Sequence, residues 1–238
     1  MAVLARVLIL AVAMPVAASA AVTNGTFETA SLAGWTKVGS GSVQTAAFGV
    51  TPTEGTYQGY IESTGNFTAL APTVAASLGV TGPTILGLGQ GTPTNGTGLS
   101  QSVTVNAGDV LSFDWNFVSD ELNELVSFND FTFFTIDSTA YFLASRNAST
   151  FNIVSPPSGF DGQTGWSSSS HTFSSAGTHT IGFAVFNVGD AGHNSALLLD
   201  NVTIAVPEPG VIGMAVIAGA GMLARRRRIS RRANPTVC

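Results

Sequence analysis

Alternating apolar and polar positions dominate the middle of the chain. Over residues 110–118 (VLSFDWNFV), Leu111, Phe113, Trp115 and Phe117 fall on one side of an extended backbone, and Ser112, Asp114 and Asn116 fall on the other. That is the pattern of a strand with one face in a core. Leu99, Val103 and Val105 alternate with Ser100, Ser102 and Thr104, and Asn106-Ala107-Gly108-Asp109 supplies turn residues between these two runs. Ile181, Phe183 and Val185 repeat the alternation, and further strands are predicted over 57–62, 130–137, 140–145 and 196–204. No long stretch carries a 3.6-residue period. Many short strands with Gly-rich turns predict an all-β protein, an antiparallel jelly-roll sandwich. Residues 64–98 are rich in Gly, Thr, Pro and Ala and carry no charge. They read as a long surface excursion with a short helix near 73–78.

The two ends break this pattern. Arg6, the apolar run 7–16 (VLILAVAMPV) and Ala18-Ser19-Ala20 form the three parts of a secretory signal peptide over 1–20, with Ala21 as the first mature residue. An uncleaved membrane anchor is the alternative, although the apolar run is far shorter than the ~20 residues of a spanning helix. At the other end, Pro207-Glu208-Pro209 precedes the apolar segment 210–224 (GVIGMAVIAGAGMLA), and Arg225, Arg226, Arg227 and Arg228 follow. The prolines stop a helix on one side. The arginines resist crossing on the other, which predicts a short transmembrane helix held with its basic tail, 229–238, in the cytoplasm.

Charge sharpens the division. The 238 residues carry a net −5, but the body, 21–205, holds thirteen acidic side chains against only Lys37 and Arg146, a net of −11. Such a body repels nucleic-acid phosphates and attracts cations. The only cysteine is Cys238, so no intrachain disulfide and no cysteine-based zinc site exist.

The Pro-Glu-Pro motif, the short apolar segment and the arginine cluster together resemble the PEP-CTERM sorting signal of Gram-negative bacteria, here over 206–228. The tail ISRRANPTVC runs on past the arginines for longer than is usual in that family. The resemblance implies processing by an exosortase, after transient inner-membrane anchoring, and delivery to the cell surface or the extracellular polysaccharide matrix. A second resemblance covers the body. Asn24-Gly25-Thr26-Phe27-Glu28 with Gly34-Trp35 opens it, Leu99 to Val105 with Ala107-Gly108-Asp109 lies in its middle, and Leu198-Leu199-Asp200-Asn201-Val202-Thr203-Ile204 closes it. This order is similar to galactose-binding-like jelly rolls, including many carbohydrate-binding modules. In that family the opening Glu and closing Asp often ligate a structural calcium, which by position implies Glu28 and Asp200.

The residues themselves bear on the metal. Leu198, Asp200, Val202 and Ile204 share one side of an unbroken strand, so a core-facing Asp200 needs a cation or several N–H donors. Asp114, Asp120, Glu121, Glu124 and Asp130 form a second acidic group around the loop that follows the aromatic strand. A calcium ion at Asp120, Glu121 and Asp130 would relieve their repulsion, and a solvated acidic loop is the alternative. Trp166, Tyr57 and Tyr60 are candidate sugar-binding aromatics, whereas Trp35 reads as core. No GxSxG, HExxH or Walker A motif occurs, and His171 and His179 flank an expected hairpin around Gly177. The expected function is therefore a non-catalytic, exported surface or matrix protein with a structural or adhesive role in exopolysaccharide or biofilm. A carbohydrate-binding module with a specific glycan is the alternative. A secreted glycoside hydrolase using Asp120, Glu121 or Asp130 is a third reading.

Overall fold

The computed structural model describes residues 21–64, 68–121, 128–148, 150–151, 157 and 159–207. Twelve strands are present among them: β1 (Thr36–Val38), β2 (Ser40–Gln44), β3 (Gln58–Glu62), β4 (Ala69–Leu70), β5 (Pro93–Val105), β6 (Val110–Ser119), β7 (Phe131–Ile136), β8 (Thr139–Ser145), β9 (Gly162–Gln163), β10 (Ser167–Thr172), β11 (Gly177–Val188) and β12 (Ser195–Ala205). One sheet runs β1-β5-β11-β7-β8, with β4 beside β5. The other runs β10-β6-β12-β3-β2, with β9 beside β6, and every strand pair is antiparallel.

The two sheets face each other across the side chains that the alternation singled out. Leu111, Phe113, Trp115 and Phe117 meet Leu99, Val103, Ile181, Phe183 and Val185 in the main core. Phe183 lies at its centre, with ring centroids 4.9 Å from Phe113 and 5.9 Å from Trp35. The indole N–H of Trp35 donates to the Asn24 carbonyl at 3.1 Å, so this ring closes one edge of the core as expected.

Both sheets are also covered on their outer faces, which explains why β7, FTFFTI, is buried at every position. Over the first sheet lie α1 (Ala71–Ser77) and α2 (Gly82–Leu86). They set Val74, Leu78 and Ile85 against Phe131, Phe133 and Phe186. The excursion predicted over 64–98 is therefore shorter and better packed than expected, because its last residues already belong to β5. Gly96 and Gly98 make that possible: a Cβ on Gly96 would strike the Val185 carbonyl, and one on Gly98 would strike Val74. Over the second sheet, Val50, Phe48, Phe160 and Trp166 cover Tyr60, Val118 and Leu198.

Two expectations are corrected. Residues 172–177 do not form a hairpin. β10 pairs with β6 in one sheet and β11 with β5 and β7 in the other, so the segment crosses between sheets. The alternation along β12 is also interrupted. A bulge between Asp200 and Thr203 shifts the register, so Leu197, Leu199 and Val202 face the main core while Ala196 and Leu198 face outward. Inserting a residue moves everything after it to the other face.

Truncating the side chain at the centre of this core tests the packing. Phe183→Ala is expected to lower the unfolding free energy by about 3–5 kcal/mol, measured by urea denaturation. A loss under about 1 kcal/mol would mean that the sheets do not meet at this ring.

Candidate functional site

The acidic residues separate into two places, and strand geometry dictates the separation. Asp114 and Asp120 are six residues apart along an extended segment, roughly 20 Å. Asp114 lies beside Asp200 on the outer face of the second sheet, since the two are register partners. Asp120, Glu121 and Asp130 lie at the end of the sandwich where β6 stops and β7 starts.

On the sheet face, Asp200 is completely buried, yet both its oxygens are used. Oδ2 accepts from the backbone N–H of Thr53 at 2.8 Å and of Glu54 at 2.9 Å, and from the Thr53 hydroxyl at 3.1 Å. Oδ1 accepts from the N–H of Asn201 at 2.7 Å. Burial pushes its carboxyl above the usual range, and the N–H groups of Glu54, Asn201 and Thr53 pull it back. Glu28 grips the far end of the same loop: its Oε1 accepts from the N–H groups of Thr56 at 2.8 Å and Tyr57 at 2.7 Å. Between them Gly55, at φ +62°, leaves room for the Glu28 carboxylate where a side chain would collide with it. Asp114 completes the set, accepting from the Ser168 hydroxyl at 2.6 Å and sharing the one Thr53 hydroxyl proton with Asp200, at 2.8 Å from Thr53 Oγ1. Glu28 and Asp200 thus hold the two ends of the same loop. The atoms turned toward them are N–H donors rather than carbonyl oxygens. That donor set suits a carboxylate and does not suit a calcium ion bound at those oxygens.

The end of the sandwich is different. Asp130 is completely buried, with Oδ1 accepting from the N–H of Val188 at 2.8 Å and Oδ2 from the Ser195 hydroxyl at 2.7 Å. Burial pushes its carboxyl up to about 8, against the pull of those two donors. Glu121 is also buried, and burial, together with the nearby Asp190 carboxylate, pushes it up to about 7. Its Oε1 has no hydrogen-bond partner. The Arg146 Nε–H donates at 3.0 Å to the Glu121 main-chain carbonyl. Asp120 accepts from the N–H of Asn194, and His193 approaches the same oxygen at 3.7 Å. Burial raises the Asp120 carboxyl as well. Glu62 is satisfied by the hydroxyls of Ser40 at 2.6 Å and Tyr60 at 2.9 Å, with Asn194 Nδ2 at 3.2 Å. A solvated acidic loop is therefore not what forms at Glu121 and Asp130. Among the described residues, no three acidic, histidine or cysteine side chains converge closely enough to hold a metal by themselves. Glu124 lies outside the described residues.

The aromatic candidates fare unequally. Tyr60 is only 7 % exposed, with its hydroxyl committed to Glu62, and Tyr57 packs against the main core, so neither offers an open ring. Trp166 is half-buried at the edge of the outer aromatic group, and its indole N–H donates to the Thr51 carbonyl at 2.8 Å. His179 pairs with Asp137 at 2.7 Å, but its other ring nitrogen faces the Ser175 carbonyl at 3.2 Å. No nucleophile occupies that position, so the pair does not extend to a triad. Asp130, fully buried, presents no carboxyl to a sugar. Pro207 is exposed, and Glu208, Pro209, Arg225, Arg226, Arg227 and Arg228 lie outside the described residues. No helix among the described residues is long and apolar enough to cross a membrane. Sequence reading did not find Asp190, Asn187 and Ser195 at the acidic end, because nothing in local periodicity brings the β11–β12 loop to the β6–β7 loop.

No protein-family model and no curated protein matches the chain. Among solved structures it is similar to the carbohydrate-binding module TmCBM61, determined with β-1,4-galactotriose (13 % identity, TM-score 0.41, covering 77 % of this chain and 96 % of that one). It is also similar to the K1 cleaved adhesin domain of Lys-gingipain from Porphyromonas gingivalis (18 % identity, TM-score 0.41, 74 % and 96 %). A structure of carbohydrate-binding modules from the β-sandwich superfamily aligns at 11 % identity and TM-score 0.38, over 76 % of this chain and 60 % of that one. At scores of this size the superpositions assign neither ligand nor activity to this chain.

The buried acids predict an unusual pH response. Asp130 and Glu121 hold their protons up to about 8 and about 7 when folded, whereas the unfolded chain releases them near pH ~4. Their stabilising effect is fully present below pH ~4 and is lost as pH rises through these folded values. In metal-free buffer the melting temperature should therefore fall between pH about 5 and about 8.5, and Asp130→Asn, a neutral isostere, should flatten the fall. A wild-type melting temperature that rises over that interval contradicts the assignment.

Proposed function

We propose that this chain is a non-catalytic exported protein of a Gram-negative bacterium. On this reading segment 1–20 directs export, and the PEP-CTERM signal 206–228 holds the chain in the inner membrane. An exosortase then processes it for the cell surface or the extracellular polysaccharide matrix, where the sandwich has a structural or adhesive role. The observation that carries the reading is where the folded unit stops. β12 ends at Ala205, and Val206 and Pro207 are exposed. The sandwich thus closes at Ala205, and the chain is already exposed at Val206 and Pro207, where the sorting motif starts. The asymmetry of charge points the same way: an acidic body on one side, a cluster of arginines on the other. Mass spectrometry of surface-exposed protein should find a chain that lacks Arg225, Arg226, Arg227 and Arg228. Recovery of those residues in surface material contradicts processing at this motif.

A second reading, a carbohydrate-binding module with a defined glycan, is favoured by one feature. Phe48, Phe160 and Trp166 form a half-exposed aromatic group on the outer face of the second sheet, and aromatic faces are what sugar rings stack on. Polysaccharide pull-down that drops at least about tenfold in Trp166→Ala, with an unchanged near-ultraviolet circular dichroism spectrum, would support it; a loss of about 1.4 kcal/mol corresponds to that factor. Equal retention of wild type and variant would remove it.

A further inference from the structure

The end of the sandwich where β6, β7, β11 and β12 meet has buried polar atoms without partners. Glu121, 1 % exposed, leaves Oε1 buried and unpartnered. Asn187, fully buried on β11, leaves both side-chain amide atoms unpartnered. It lies between Phe186 and Val188, which both pack beneath the helices, at the point where the pairing of β11 with β5 shifts register. The next residue, Val188, donates its N–H to Asp130. The hydroxyls of Ser195 and Ser119, 2.8 Å apart, sit between Asp130 and the Glu121 backbone, whose N–H donates to Ser119 at 3.1 Å. Asp190, the charged group that acts most strongly on Glu121, stands on the loop after β11. Buried polar atoms of this kind are costly unless a hydrogen-bond partner or a ligand meets them.

We propose that this end of the sandwich binds a divalent cation of the calcium type, with the Glu121 carboxylate as its charged ligand and the Asn187 amide oxygen as a neutral one. Calcium takes six to eight oxygens, and carboxylate, amide, hydroxyl and main-chain carbonyl all serve. The site lies at the opposite end of β12 from the Glu28 and Asp200 loop clamp, and the proposal does not depend on the export function argued above.

The test is calcium chloride added to the purified, chelator-treated protein, followed by thermal unfolding and calorimetric titration. Calcium at about 5 mM should raise the melting temperature by at least about 4 °C. Glu121→Gln should abolish the rise and the heat of binding, and Asn187→Leu should weaken both. Asp200→Asn should lower the baseline melting temperature yet keep the calcium-dependent rise. No rise and no heat in the wild type would overturn the site, leaving Glu121 a neutral acid and Asn187 bonded to water. A calcium effect that survives Glu121→Gln, or that only Asp200→Asn removes, would overturn it equally. Because sorting is not read in this assay, its failure and a failure of the export reading are separable.

Discussion

A shortage of positive charge governs this molecule. Thirteen carboxylates share a body that has one lysine and one arginine, and the lysine spends its ammonium on a main-chain carbonyl, Gly41, at 2.9 Å. Several of the described acids are therefore satisfied by backbone N–H groups and hydroxyls. Asp200 and Glu28 take backbone N–H groups of a single loop, Asp109 takes the N–H of Asn106 at 2.8 Å, and Asp137 takes the N–H of Thr180 at 2.9 Å together with the ring of His179. Hydrogen bonds to a charged acceptor are among the stronger ones available to a protein. Most of these join segments far apart in sequence, so carboxylates take over the task of tying loops to sheets. Where donors run out, at Glu121, one carboxyl oxygen is left unpartnered and burial raises the carboxyl.

How much of this was legible follows from what alternation encodes. The core faces of β5, β6 and β11 were readable, because each strand has one side chain in two facing the opposite sheet. The helices over 71–86 were only half visible: the short helix near 73–78 was expected, but its packing against Phe131, Phe133 and Phe186 was not. Phe133 and Phe134 adjoin in β7 because both faces of that strand are covered, a pattern that alternation cannot distinguish from a run of buried residues. The bulge in β12 was invisible, and it puts Val202 on the core face while Asp200 stays on the outer face with Leu198. Its burial was anticipated from the wrong face: Asp200 is covered by the Thr53 loop, not by the space between the sheets. The acidic end was legible only as a local cluster. Its buried character depends on β11 and β12, whose contribution no spacing near Asp120 reveals.

These two groups of acids bear differently on the export reading. A loop clamp made of backbone donors needs no ion and holds in any medium, as suits a protein at a surface whose composition the cell does not control. On the cation-site and export proposals, the acidic end would respond to pH and to divalent cations, both of which vary outside the inner membrane. The two places divide rigidity and responsiveness between the sheet face and the end of the sandwich, within one fold and without a disulfide.

The central claim, that burial and neutral donors rather than ion pairs set the state of these acids, is tested most directly by carbon-13 nuclear magnetic resonance of the side-chain carboxyls in chelator-treated protein. The account predicts that Asp130 titrates near 8 and Glu121 near 7. If both carboxyls instead titrate below about 5, in the range of ordinary exposed acids, the account is wrong.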